Sequence, residues 1–188
     1  MVIAKFFFST ILFFIAIAAP MLVEGNSLAS MESIPPPEGT TVAPEIALND
    51  LNGNLIRLSD YRGKVVLLHF WASWCLPCRE EFPRIKGLWQ RLADKDFVVL
   101  AIAEDSHKAA AAFVKKEDLR FPVLVDQYGS ALRSYRLKAI PASYIVNREG
   151  RMEEIAVGSR EWDSDGVHDL ISSIINGNPR SARGELQD

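Results

Sequence analysis

The sequence predicts an α/β sandwich with parallel central strands and an antiparallel edge. Three observations carry this expectation. Val65 to Trp71 and Phe97 to Ala103 are near-continuous apolar runs of strand-forming residues, the pattern of strands buried on both faces. The segments that follow each run have helical spacing or are rich in alanine. The order of elements is β-α-β-α-β and then β-β-α, so parallel strands joined through helices give way to a hairpin at one edge.

Lys5 precedes an apolar stretch from Phe6 to Ala19 that ends at Pro20, which has the form of an export signal with a short positive region and a hydrophobic core. Ala16 and Ala18 offer a small-x-small cleavage site, yet Phe6 through Val23 nearly reaches the length of a membrane span. Residues 1–23 are therefore a signal peptide or an uncleaved N-terminal anchor, and both place the protein outside the cytoplasm. No cysteine stands directly after this segment, which argues against lipid anchoring.

Residues 24–43 are poor in large apolar side chains and contain Pro35-Pro36-Pro37, Gly39 and several hydroxyl residues, the composition of a flexible linker. If retained, such a linker gives a folded domain a reach of about 25 Å from an anchor. The domain itself is expected over residues 44–175. The polar stretch 176–188, with Pro179 and Gly184, is expected to be a disordered tail.

Within the domain, Ile46 to Leu48 and Leu55 to Leu58 flank an Asn52-Gly53 step suited to positive φ, so a β-hairpin is expected. Val65 to Trp71 is the central strand. Cys75 to Lys95 has helical spacing in Phe82, Ile85, Leu88, Trp89 and Leu92, with Pro83 inside it as a source of a kink. Phe97 to Ala103 is a strand, and Ser106 to Asp118 is a helix with Ser106 as N-cap. Val123 to Val125 is a short strand and Ser130 to Arg136 a short helix. Ser143 to Asn147 and Met152 to Val157 form a hairpin about Arg148-Glu149-Gly150, and a helix from Ser164 to Ile175 closes the domain.

The chain has 188 residues, with 21 basic and 24 acidic side chains interspersed, for a net charge of −3. That length suits one domain of ordinary size, and the absence of a basic stripe argues against a nucleic-acid partner.

Cys75 and Cys78 are the only cysteines, in the run Phe70-Trp71-Ala72-Ser73-Trp74-Cys75-Leu76-Pro77-Cys78, where the central strand gives way to the first helix. The spacing suits a small disulfide ring within one helical turn. No second pair completes a four-sulfur zinc site, so a reversible dithiol leads over a soft-metal clip or a structural staple. If Cys75 opens the helix, unpaired N–H groups and the positive end of the helix dipole favour its thiolate, which makes it the nucleophile. Lowering a thiol pKa from about 8.5 to about 7 raises its thiolate at neutral pH from a few per cent to roughly half. Leu76 and Pro77, between the sulfurs, are expected to tune the redox potential through the stability of the reduced helix end. Arg79 adds positive charge nearby, and His107 and His168 are expected at the surface.

The run from Asp60-Tyr61-Arg62-Gly63-Lys64 through Cys78, followed by Glu80-Glu81-Phe82-Pro83, resembles the TlpA/ResA-like thiol-disulfide oxidoreductases of the thioredoxin fold. The likeness covers roughly residues 44–175. It implies a thioredoxin-like three-layer sandwich with a mixed central sheet and an N-terminal β-hairpin. It also implies that Cys75 attacks a client disulfide and Cys78 resolves the mixed disulfide, with no cofactor beyond the pair itself. Pro141, in Lys138-Ala139-Ile140-Pro141-Ala142, matches the family's cis-proline. By that match it lies opposite the cysteines, and Ile140 offers backbone to an extended substrate. Glu81 matches a glutamate beside the active thiols and is expected to move protons for Cys78, its titration coupled to theirs. Trp74 is expected to contact substrate together with Pro77, and Trp71 to sit in the core.

Two features depart from the pattern. His69 stands six residues before Cys75, where thioredoxin has a buried aspartate, and is expected to fill the core with one hydrogen bond rather than act as a general base. Ala139 and Ala142 replace the glycine and hydroxyl residue that often flank the cis-proline. The resemblance implies an exported, periplasmic reductant, with a disulfide-containing client such as an apocytochrome c. It also implies a membrane thiol-transfer protein as electron donor, and residues 6–23 offer a tether if retained. The competing expectations are a Cu(I) carrier using the same two thiolates and a thiol peroxidase.

Overall fold

The computed structural model describes residues 41–177. The expected signal or anchor, the linker up to residue 40 and the tail from residue 178 lie outside the described residues. The last residues of the expected linker are paired with the domain: Val42 forms a bridge with Arg151, and the Ala43 N–H donates to the Gly150 carbonyl at 3.0 Å.

The hairpin forms first, from β1 (Ala47–Asn49) and β2 (Leu55–Arg57), in antiparallel register with Ala47 opposite Arg57. Its turn is held by the Asp50 carboxylate, which accepts from the Asn52 and Asn54 N–H groups, each at 2.8 Å, while Gly53 takes φ +85°. Leu58, expected to end the second strand, instead opens a 3-10 turn (Leu58–Tyr61). Its buried side chain turns into the core there and its N–H donates to the Ile46 carbonyl.

A five-stranded sheet follows, in the order β5-β4-β3-β6-β7. Its strands are β3 (Val65–Trp71), β4 (Phe97–Ala103), β5 (Val123–Val125), β6 (Ala142–Val146) and β7 (Met152–Val157). β3, β4 and β5 are parallel; β6 and β7 join antiparallel on the other side of β3. Every residue of β3 is buried, as its unbroken apolar run requires of a strand covered on both faces.

The period of two along β3 sorts the core into two layers. Val65, Leu67 and Trp71 face α1 (Leu76–Arg91), α2 (His107–Glu117) and α4 (Asp165–Ile175), which contribute Phe82, Ile85, Leu88, Phe113, Ile171 and Ile174. Val66, Leu68 and Phe70 face Tyr135 and Ala131, at and beside α3 (Ser130–Ser134), together with Ile46 and Leu58 from the hairpin end. The architecture is the three-layer, mixed-sheet sandwich with an N-terminal hairpin.

Helix ends differ from the sequence expectation by a few residues, for local reasons. α1 begins after Cys75, whose extended φ and ψ make it the N-cap, and α2 and α4 begin after their N-caps Ser106 and Ser164. α1 stops at Arg91 instead of reaching Lys95, since the chain must reverse for β4 to start with Phe97 opposite Val65. α3 stops at Ser134, because Arg136 takes a positive φ of 52° that no helix continues.

Candidate active site

The site forms where β3 runs into α1. The turn between them is fixed at both ends: the Cys75 N–H donates to the Ala72 carbonyl at 3.1 Å, and the Ser73 N–H donates to the Asp105 carboxylate at 2.9 Å. Cys75 and Cys78 are joined in a disulfide. Cys75 Sγ accepts the Cys78 N–H at 3.2 Å, which places that sulfur against the unpaired donors of a helix N-terminus. Pro77 stands in the first turn, where a missing N–H breaks no helical hydrogen bond.

The two sulfurs are not equivalent. Cys75 retains 6 % of its surface and Cys78 none, so only Cys75 is open to an incoming disulfide. Trp74 and Leu76 stand out beside it, 68 % and 59 % exposed, and Pro77 is also exposed. The Ile140–Pro141 peptide is cis, and Cys75 Sγ lies 3.9 Å from the Ile140 carbonyl oxygen. Cysteines, Trp74, Pro77, Ile140 and Pro141, far apart in the chain, thus share one end of the sheet. Trp71 lies beneath them, fully buried, its ring 4.8 Å from those of both Phe82 and Phe113.

Glu81 falls one turn after Cys78 on the buried face of α1, only 2 % exposed. Its Oε1 accepts the Arg160 N–H at 2.6 Å and the Trp162 indole N–H at 2.9 Å, both from the connection between β7 and α4. Its Oε2 has no hydrogen-bond partner and lies 3.9 Å from His69 Nε2, which also has none. His69, fully buried, bonds through Nδ1 to Ser143 Oγ at 2.9 Å and packs edge-on against Phe82. His69 is thus in the core with one hydrogen bond. Sequence reasoning did not single out Ser143, Arg160 or Trp162. Ser143 was within reach, since it pairs with His69 across β3 and β6, whereas nothing local joins Glu81 to residues about eighty positions later.

Burial acts in opposite senses on these two groups. It pushes the Glu81 carboxyl up to about 7, offset in part by the Arg160 and Trp162 N–H groups and the Arg84 charge. It pushes His69 down to about 3. Glu81 alone lends stability at acid pH that is lost as pH rises from its ordinary 4.5 towards 7. His69 alone destabilises at acid pH, and that cost is relieved as pH rises from about 3 to its ordinary 6.5. Between pH 4.5 and 6.5, folded and unfolded chains each hold one proton on this pair, and the two slopes cancel. Glu81→Gln is expected to unmask the histidine: relative to wild type, stability should gain about 1.4 kcal/mol per pH unit across that window. Urea denaturation at stepped pH measures the difference, and parallel profiles would refute this assignment of the buried proton.

Among the described residues, no group of three or more His, Cys, Asp or Glu side chains could hold a metal ion, and no helix is long and apolar enough to cross a membrane.

A mixed sheet of this order, with a Cys-x-x-Cys disulfide capping the helix after its central strand and a cis-proline beside it, defines a thioredoxin-fold protein with a redox-type cysteine pair. The AhpC/TSA family profile matches residues 40–155, and the chain belongs to that family. The thioredoxin-like protein YneN of Bacillus subtilis is 41% identical over 120 residues, 62% of this chain and 70% of YneN. The thiol-disulfide oxidoreductase ResA of Bacillus thuringiensis subsp. konkukian is 35% identical over 111 residues. That match takes in 58% of this chain and 64% of that relative's length, slightly less than two thirds. Among solved structures, a Chlorobium tepidum protein described as the thiol:disulfide interchange protein DsbE superposes with a TM-score of 0.68 at 34% identity. That superposition covers 72% of this chain and 96% of the other.

Proposed function

We propose that the protein is an exported thiol-disulfide oxidoreductase that reduces disulfides of specific client proteins through Cys75 and Cys78. The observation that carries this reading is the pair's placement: one cysteine, slightly exposed, on a helix N-terminus beside the Ile140 carbonyl and cis-Pro141, the other fully buried behind it. The names of ResA and DsbE among its relatives support the same chemistry.

In the reduced protein the Cys75 thiolate attacks a client disulfide, forming a mixed disulfide and releasing one client thiolate. Cys78 gives its thiol proton to Glu81, and its thiolate attacks Cys75 Sγ. The Cys75–Cys78 disulfide forms, the second client thiolate leaves, and two electrons have passed to the client. Trp74, Pro77 and Ile140 form the surface on which an extended client segment lies, the Ile140 backbone pairing with it next to the buried Pro141. A membrane thiol-transfer protein returns the electrons. The apolar segment 6–23 supports export, with or without a retained tether, and an apocytochrome c is the client class for which a reductant outside the cytoplasm is needed.

The test is a trap. Cys78→Ala, expressed with its N-terminal segment intact, is expected to accumulate a mixed disulfide through Cys75 that reductant releases. Mass spectrometry of the adduct names the client. A wild-type pair that cycles freely between dithiol and disulfide while the variant captures nothing would count decisively against exchange. Direction is decided by the pair's equilibrium potential, where a value near −270 mV marks a reductant and one near −120 mV an oxidant.

A further inference from the structure

Two unpartnered polar atoms face each other in the core beneath the disulfide. His69 Nε2 and Glu81 Oε2 are 3.9 Å apart, each buried and each without a hydrogen bond among the described residues. Leaving either unpaired is costly, and the two are chemically complementary once the imidazole tautomer is known. Ser143 holds the tautomer with a bare Nδ1 if its hydroxyl donates there. Its buried hydroxyl bonds to Nδ1, and donating there gives the hydroxyl hydrogen its acceptor. Nδ1 is then a lone pair, so in the neutral ring the hydrogen sits on Nε2, aimed at the free carboxylate oxygen.

Most groups around this pair are committed elsewhere; the one further buried donor among them without a hydrogen-bond partner is the Trp71 indole N–H. From α1, Cys78 lies one turn before Glu81, and Arg84 is committed to Glu161 at 3.0 Å. From the β7–α4 connection, the Arg160 and Trp162 N–H groups take Oε1, while the Arg160 guanidinium pairs with Glu154. From β6 comes Ser143, and beside the imidazole is the apolar ring of Phe82.

We propose that His69 is a positioning residue for Glu81: held by Ser143 as the Nε2–H tautomer, it donates to Oε2 and sustains the ionised carboxylate that accepts the Cys78 proton. The hydrogen bond closes as the carboxylate ionises. His69 stays neutral throughout, consistent with the depression that burial imposes on it. The proposal rests on the exchange reading for its consequence, but the His69–Glu81 coupling stands on geometry.

The experiment titrates the Glu81 carboxyl by carbon-13 NMR in the oxidised protein, then measures the pH dependence of mixed-disulfide resolution in the reduced one. His69→Leu, which keeps the core apolar and removes the donor, is expected to raise the Glu81 midpoint by about one pH unit. The acid limb of the resolution rate should move up by the same amount. His69→Gln, whose amide can place a donor near Nε2, should restore the wild-type midpoint. Ser143→Ala keeps the ring but frees its tautomer, and should raise the midpoint by a smaller amount. An unchanged or lowered midpoint in His69→Leu, or a shift that His69→Gln does not reverse, overturns the proposal. Should His69→Leu fail to fold, the Ser143→Ala midpoint decides alone. A wild-type protein that exchanges no thiols at any pH defeats the exchange reading, and the carboxyl titration then still decides the coupling.

Discussion

Cys75→Ser is expected to abolish disulfide exchange, lowering the rate by about three orders of magnitude or more, while leaving the fold intact. The hydroxyl that replaces the thiol has no accessible anion at neutral pH, and the thiolate is the species that attacks. Cys78 cannot substitute for it, because its sulfur is fully buried behind Cys75. The fold survives because the ring closed by the disulfide spans a sequence separation of only 3, and so short a loop restricts the unfolded chain little. The check is reduction of a protein disulfide under a fixed excess of dithiol, alongside a urea denaturation curve. Residual turnover within about tenfold of wild type would show that Cys78 attacks and reverse the assigned order.

Phe82→Ala should cost about 3–5 kcal/mol of stability, a large share of what a domain of this size has. Its side chain is 1% exposed and joins four rings: Trp71 at 4.8 Å, Phe113 at 5.1 Å, His69 at 5.3 Å and Phe121 at 6.4 Å. Truncation leaves a cavity shared by α1, α2 and β3, all held by other contacts and so unable to collapse into it. Phe82→Leu, closer in volume, should lose far less. Urea denaturation of the oxidised proteins measures both, and a loss below about 1 kcal/mol for the alanine variant would mean that the cluster repacks without strain.

Much of this arrangement was legible in the sequence because it is written locally. The apolar runs of β3 and β4 mark strands covered on both faces, and their bounds coincide with those observed. The helix carrying the cysteines follows from its 3.6-residue spacing, and the cis peptide at Pro141 matches a motif visible as a string. What spacing could not show is which side chains meet across elements. Glu81 depends on Arg160 and Trp162, and His69 on Ser143; these bonds are set by the packing of the β7–α4 connection over α1 and by strand register. Hairpin and helix ends moved by a few residues because capping and turn geometry, not hydrophobic pattern, decide where an element stops.

Glu81 is held by two donors that lie 79 and 81 positions after it in the chain. A protein cut before Arg160 would retain both cysteines, Trp74 and Pro141, and every motif by which the sequence is recognised. Yet the carboxylate would be untied, and water could enter behind Cys78. The closing segment of the domain is therefore also a fastener of its reactive centre.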